Sequence, residues 1–219
     1  MTMLNSSTNA PRSQDTIEVV LASGNAGKLR ELRDLLGPSF RVQSARDVQA
    51  ELPEETGSTF AENAILKANS VASQTGLIAI SDDSGLEVDA LDGAPGVHTA
   101  RYAGDHATDE QNRGKLLHAL KDVPPERRGA RFVSVIAIAF APDDVVTAEG
   151  ICEGEIATRE RGDGGFGYDS LFLVPSGKTM AELSFEQKNA ISHRGQAMKK
   201  AMRLLIDRTD ASRKKGAGR

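Results

Sequence analysis

Two long runs of apolar and β-branched residues, 131–141 and 145–158, flank the turn Pro142-Asp143-Asp144 and read as a hairpin. A hairpin is antiparallel, so the sheet that holds it cannot be purely parallel. Around it strand and helix patterns are interleaved. Residues 17–22 read as a strand that turns through residues 23–27 into a helical pattern carrying Leu29, Leu32, Leu35 and Leu36. A short strand over 40–44 and an acidic loop over 51–57 follow, and Thr59 with Glu62 three residues later marks a capped helix start. Phe60, Ala64, Ala68, Val71 and Ala72 form the apolar face of that helix, with Asn63 and Lys67 together on another face. Residues 77–81 form a short apolar strand that is expected to end at Asp82-Asp83-Ser84-Gly85. Thr108 with Gln111 caps a helix to about Leu120, stopped by Pro124-Pro125. A strand over 171–174, a helix capped by Ser184 and a last helix over 195–206 complete the chain. The pattern predicts an α/β fold with a mixed sheet, and ligands in such folds sit where strands end and loops gather.

The chain has 219 residues, 39% hydrophobic and 26% charged, enough to bury a core as one large domain or two closely joined lobes. The expected organisation is a disordered tail over 1–16, one folded unit over 17–207 and a basic flexible tail over 208–219. The single Cys152 has no partner for an intramolecular disulfide, which points to a reducing cytoplasm. No apolar stretch is long enough to cross a bilayer, so no membrane partner is expected. A net charge of −4 argues against a broad basic face for polymeric nucleic acid and leaves small anions as ligands.

Four clusters can carry chemistry. Ser23-Gly24-Asn25-Ala26-Gly27-Lys28 joins a strand to a helix N-terminus, where free N–H groups and the helix dipole attract phosphate. Leu29 stands where a Walker A loop needs Ser or Thr, so this is not that motif; alone, it also fits an ordinary strand-to-helix turn. Glu54 and Glu55, with Asp82 and Asp83, are hard oxygen donors suited to magnesium, and either Asp could orient or deprotonate an attacking water. The same Asp-Asp-Ser-Gly also fits a polar turn. Residues 162–169 combine glycines with Phe166 and Tyr168, either a stacking face for a base or a loop with Phe166 tucked into the core. Lys188, Ser192, His193 and Arg194 supply donors for a purine or its phosphates, although each cation alone fits a solvated surface and His193 a helix cap. Arg101 is as readily a brace for the acidic loop as a ligand contact, and Cys152 reads as a buried thiol.

In order along residues 17–206, Ser-Gly-Asn-Ala-Gly-Lys, Leu-Pro-Glu-Glu-Thr-Gly, Phe-Ala-Glu-Asn-Ala-Ile-Leu-Lys-Ala, Asp-Asp-Ser-Gly-Leu, Gly-Ala-Pro-Gly-Val-His-Thr-Ala-Arg-Tyr, Gly-Gly-Phe-Gly-Tyr-Asp and Ser-His-Arg-Gly resemble the inosine triphosphate pyrophosphatase family. The resemblance implies an elongated mixed sheet with flanking helices, two lobes around a central active-site cleft, and a homodimer. It implies hydrolysis of dITP, ITP and XTP to monophosphate and pyrophosphate, with Mg2+ as cofactor. Ser23, Gly24, Asn25, Ala26, Gly27 and Lys28 would bind the triphosphate. Glu54 and Asp83 would serve the metal, and Asp83 would accept the proton of the attacking water with support from Asp82. Lys67 and Ser84 would contact substrate. Phe166, Gly167, Tyr168 and Asp169 would hold the base, and Lys188, His193 and Arg194 would complete the pocket. Ser170 departs from the pattern, standing where Pro is frequent. A terminal-phosphate NTPase and a non-catalytic nucleotide sensor share parts of this pattern; the absent Walker A Ser/Thr speaks against the first, and the paired aspartates against the second.

Overall fold

The computed structural model describes residues 16–24, 33 and 36–217. Among the described residues six strands form one sheet: β1 (Ile17–Leu21), β2 (Phe40–Ser44), β3 (Ile78–Val88), β4 (Gly129–Ala141), β5 (Asp144–Ile156) and β6 (Phe172–Leu173). Among the described residues it is accompanied by the helices α1 (Phe60–Thr75), α2 (Asp109–Ala119), α3 (Phe185–Ile191) and α4 (His193–Ala217). The strand order is β2-β1-β3-β4-β5-β6. β1 lies parallel to both β2 and β3, whereas β3, β4, β5 and β6 pair antiparallel in succession. The sheet is therefore mixed, as the hairpin requires.

Side chains alternate across a strand, and this alternation divides the core. Val20, Ala79, Val133, Val135, Ala137 and Ala139 face the Ala64, Ala68, Val71 and Ala72 stripe of α1. Val19, Leu21, Ile80, Ile136 and Ile138 face the other way, against Ala197, Ala201, Met202 and Leu205 of α4. A further cluster gathers Leu86, Leu116, Leu120, Phe132, Ile156, Leu171 and Phe172 towards the far end of β3. The capping boxes at Thr59, Thr108 and Ser184 are all formed, because each side chain accepts the N3 amide while the N3 Glu or Gln returns a bond to the cap.

Three elements differ from their sequence expectation. β3 does not stop at Ser81 but continues through Asp82-Asp83-Ser84-Gly85 to Val88, paired with β4 all the way. The carboxylates are tolerated inside a buried strand because other elements bring cations to them, which local pattern cannot register. β6 is only two residues long. The flexible tail expected from residue 208 is helical to Ala217. Thr209 is buried there and its hydroxyl donates to the Leu205 carbonyl at 2.9 Å, so the helix is anchored beyond Ile206. The expected N-terminal tail lies outside the described residues up to residue 15, as does most of the helical pattern after residue 24. Among the described residues no helix is long and apolar enough to cross a membrane.

α4 passes close to Gly150 on β5: a Cβ there would run into the His193 carbonyl and the Ala197 amide. Neither backbone atom can yield without moving the helix. Gly150→Ala should cost about 1–3 kcal/mol through overpacking, and the melting temperature should fall by about 2–4 °C for each kcal/mol. A variant that melts with the wild type in a calorimeter would show that α4 does not need this close approach.

Candidate functional site

β1 pairs with β3 only over Val19–Leu21 against Ile78–Ile80, and the Ala22 amide donates to the Ile80 carbonyl at 2.7 Å. The chain then leaves the sheet at Ser23 and Gly24 while β3 runs on. Asp82, Asp83, Ser84 and Gly85 thus stand beside the end of β1, in a cleft of about 760 Å³. That volume lies within the range of small-molecule sites.

Neighbouring residues of a strand point to opposite faces, so Asp82 and Asp83 meet different partners. Asp83 turns towards α1. There Lys67 Nζ donates to Asp83 Oδ1 at 2.8 Å, to Glu55 Oε1 at 2.7 Å and to the Asp82 carbonyl at 3.1 Å. Only 9% of the Lys67 side chain and 12% of the Asp83 side chain are exposed. One turn before Lys67, the Asn63 Oδ1 accepts the Gly57 amide at 2.7 Å, so one face of α1 holds the acidic loop at two points. Burial pushes the Asp83 carboxyl above its ordinary range; Lys67 pulls against this, while Glu55 and Asp82 add to it. Burial alone would lower the Lys67 pKa, but facing Asp83 and Glu55 holds it above the ordinary lysine value. Lys67 is thus kept charged, and Asp83 is a stronger base than a solvated aspartate.

Asp82 turns towards α4. Its Oδ2 accepts from Arg194 Nε at 3.0 Å and its Oδ1 from the Ser134 hydroxyl at 3.0 Å. Arg194 Nη2 also donates to Ser84 Oγ at 3.2 Å. Ser192 caps α4 by accepting the Gly195 amide at 3.1 Å, which fixes the turn that carries His193 and Arg194. His193 is not the cap; its ring stacks on Phe132, with centroids 4.8 Å apart.

The glycine-rich loop closes the other wall. Phe166 is not tucked into the core but 64% exposed. Lys188 Nζ lies 4.9 Å from its ring centroid and the Arg194 guanidinium 5.8 Å. Asp169 Oδ2 accepts both the Lys188 ammonium at 2.6 Å and the Phe166 amide at 2.8 Å. Gly165 has φ +77, and a side chain there would collide with the Asp169 carboxylate. Tyr168 is buried; its hydroxyl donates to the Thr99 carbonyl at 3.0 Å, and burial pushes the phenol pKa far up. Ser170, in place of a stiffening proline, donates its hydroxyl to Glu160 at 2.9 Å.

Of the residues singled out in the sequence, Ser23, Gly24, Lys67, Asp83 and Ser84 line the cleft, as do the loop residues 166–169 with Lys188, His193 and Arg194. Asn25, Ala26, Gly27 and Lys28 lie outside the described residues. Glu54 is exposed, and it is Glu55 that lines the cleft. Two adjacent glutamates in an irregular loop have no period from which the inward one could be read. Arg101, set aside in the sequence, also lines the cleft, 3.9 Å from Glu55 Oε2. Asp109 was missed altogether: its carboxylate accepts the Gly167 amide at 2.7 Å across 58 residues of sequence, a contact without a local signal. Cys152 is buried and its thiol pushed up to about 11 by desolvation, which suits packing rather than nucleophilic attack. Among the described residues no group of three or more His, Cys, Asp or Glu side chains is gathered to hold a metal by itself.

The chain that carries this cleft is similar in sequence and in fold to known proteins. The sequence profile described as the Ham1 family matches residues 19–204. A dITP/XTP pyrophosphatase of Salmonella typhimurium is 53% identical over 194 residues, which is 87% of this chain and 96% of that protein. One from Escherichia coli is 52% identical over 196 residues, with the same coverage of 87% and 96%. The solved structure of a HAM1 protein from Coxiella burnetii superposes with a TM-score of 0.84 at 46% identity, covering 88% of this chain and 100% of that one. Agreement of sequence and fold over the whole length that carries the cleft leads to one conclusion: this chain belongs to the Ham1 family.

Proposed function

We propose that this chain hydrolyses the noncanonical purine nucleoside triphosphates dITP, ITP and XTP between the α and β phosphates, releasing monophosphate and pyrophosphate and clearing them from the precursors of DNA and RNA. The observation that carries this reading is the position of Asp83, a buried carboxylate held by Lys67 in the same cleft as the Ser23-Gly24 strand end and the exposed ring of Phe166. The phosphates lie towards Ser23, Gly24 and the following residues to Lys28, and the base lies against Phe166 within reach of Lys188 and Arg194. Asp83 orients and deprotonates the attacking water, and Asp82, with both oxygens engaged by Ser134 and Arg194, braces it.

Glu55 and Asp83 converge on one ammonium, and two such hard oxygen donors suit magnesium, which completes its shell with water and phosphate. Asp83 would hold the ion with Glu54 of the acidic loop, and Glu55 stands beside them paired with Lys67. When bound, magnesium neutralises phosphate charge. The base filter follows from donors and acceptors. Hypoxanthine and xanthine present an oxygen at the six position to cationic donors, whereas adenine presents an amino donor whose mismatch costs about 1–3 kcal/mol. Guanine shares the oxygen, so its two-amino group has to be the rejected feature. The family resemblance adds a homodimer and a single two-lobed unit over residues 17–207 to this reading, and the lone Cys152 adds a cytoplasmic location.

The test is product analysis with magnesium and dITP, XTP, dGTP and ATP offered separately. Pyrophosphate from dITP and XTP with little from dGTP or ATP is the expected result. Orthophosphate with a diphosphate product would overturn the assigned bond, and absence of turnover would leave a nucleotide sensor.

A further inference from the structure

The loop that carries Phe166 is held partly from within, where Asp169 Oδ2 accepts the Phe166 amide at 2.8 Å and the Asp169 amide donates to the Phe166 carbonyl at 3.1 Å. Gly162, Gly165 and Gly167 all take positive φ, a glycine-rich backbone loses much entropy on ordering, and the Phe166 ring is mostly exposed. The next residue, Gly167, is held from α2. Asp109 and Arg113 are four residues apart and so share one face of that helix. Asp109 Oδ2 accepts the Gly167 amide at 2.7 Å, and Arg113 Nη1 donates to the Gly167 carbonyl at 3.0 Å. Both polar groups of the residue next to Phe166 are therefore gripped by one helix. The grip is closed from behind: Arg113 Nε pairs with Glu160 Oε2 at 2.8 Å, and the same oxygen accepts the Ser170 hydroxyl at 2.9 Å. Arg113 and Ser170 thus meet at Glu160, and the stretch from Gly167 to Ser170 is tied at both ends.

We propose that Asp109 and Arg113 are positioning residues for base recognition, clamping Gly167 so that Phe166 is presented at a fixed distance from Lys188 and Arg194. The proposal rests on the reading that the base lies against Phe166. Neither residue touches the reacting phosphates in this scheme, so the clamp acts on binding and discrimination and not on the chemical step. Asp109→Ala and Arg113→Leu each raise KM for dITP by about tenfold, the equivalent of one charge-assisted hydrogen bond, with kcat within about twofold of wild type. The preference for dITP over dGTP narrows in both. Asp109→Asn keeps an oxygen that can accept the Gly167 amide and restores most of the KM.

Kinetics of these three variants, of Phe166→Ala and of Glu110→Ala, alongside their melting temperatures, make the test. Glu110 sits in the same acidic first turn of α2, so a role limited to helix stability would appear equally in Glu110→Ala. The clamp is supported when Phe166→Ala, Asp109→Ala and Arg113→Leu raise KM while Glu110→Ala and Asp109→Asn stay near wild type. If Phe166→Ala raises KM but the clamp variants do not, or if kcat falls in step with stability in Glu110→Ala as well, the clamp is overturned and the base site stands. If Phe166→Ala leaves KM for dITP unchanged, the base lies elsewhere, and both readings fall.

Discussion

Replacing Asp83 by Asn lowers turnover of dITP by about a thousandfold, in the range that a positioned general base contributes, while nucleotide binding and fold are kept. The substitution preserves shape and still offers Lys67 an acceptor oxygen, and Lys67 retains Glu55 and the Asp82 carbonyl as partners. What is lost is a site that can take a proton. Asp82→Asn should behave differently, because that carboxylate is already spent on Arg194 and Ser134 and is not offered to water. Pyrophosphate release under single-turnover conditions, paired with calorimetric titration of dITP, separates the chemical step from binding. Turnover of Asp83→Asn within a few-fold of wild type would remove Asp83 from the role of base.

Lys67→Met is expected to be the most destabilising single change at the site. It leaves Glu55 and Asp83 facing each other without the cation between them, and breaking a buried ion pair on one side costs about 3 kcal/mol or more. For a chain of this length that corresponds to a fall in melting temperature of about 6–12 °C. The pH dependence carries a sign. The folded-state pKa of Asp83, already raised by burial, rises further without Lys67, so the folded protein binds this proton more tightly than the unfolded one. The deficit of the metal-free variant is therefore smallest below the ordinary carboxylate range and grows as pH rises through the raised pKa. Melting curves of metal-free protein over a pH series measure it. The double variant Lys67→Met with Asp83→Asn should recover much of the loss, since the uncompensated charge is then gone. Equal destabilisation of single and double variants would mean that packing of the Lys67 stem, and not its charge, is what α1 contributes.

Much of the architecture follows from local rules. Thr59, Thr108 and Ser184 each announce a helix through a capping box, and a box needs only four consecutive residues to close. The apolar runs on either side of Pro142-Asp143-Asp144 announce β4 and β5, because alternating burial and a turn are properties of adjacent residues. The face that holds Asn63 and Lys67 was equally legible, being fixed by helical spacing. The site was legible as clusters of the right chemistry, but their mutual arrangement was not.

The sequence alone determined the mixed sheet, the capped helices and the set of groups able to meet phosphate, metal and base, since spacing and residue type act over a few positions. The tertiary structure decided what depends on partners far apart in the chain. Asp82-Asp83-Ser84-Gly85 is expected where a strand ends, yet the strand runs on through it, with Lys67 and Arg194 arriving from opposite faces to meet its charges. Glu55 rather than Glu54 enters the cleft because Lys67 reaches it there. Phe166 stands out in solvent beside Gly167, which Asp109 and Arg113 hold from another helix. A buried charge is stable only where its counter-charge is delivered, and that delivery is a property of the folded sheet and its helices, not of any stretch of sequence.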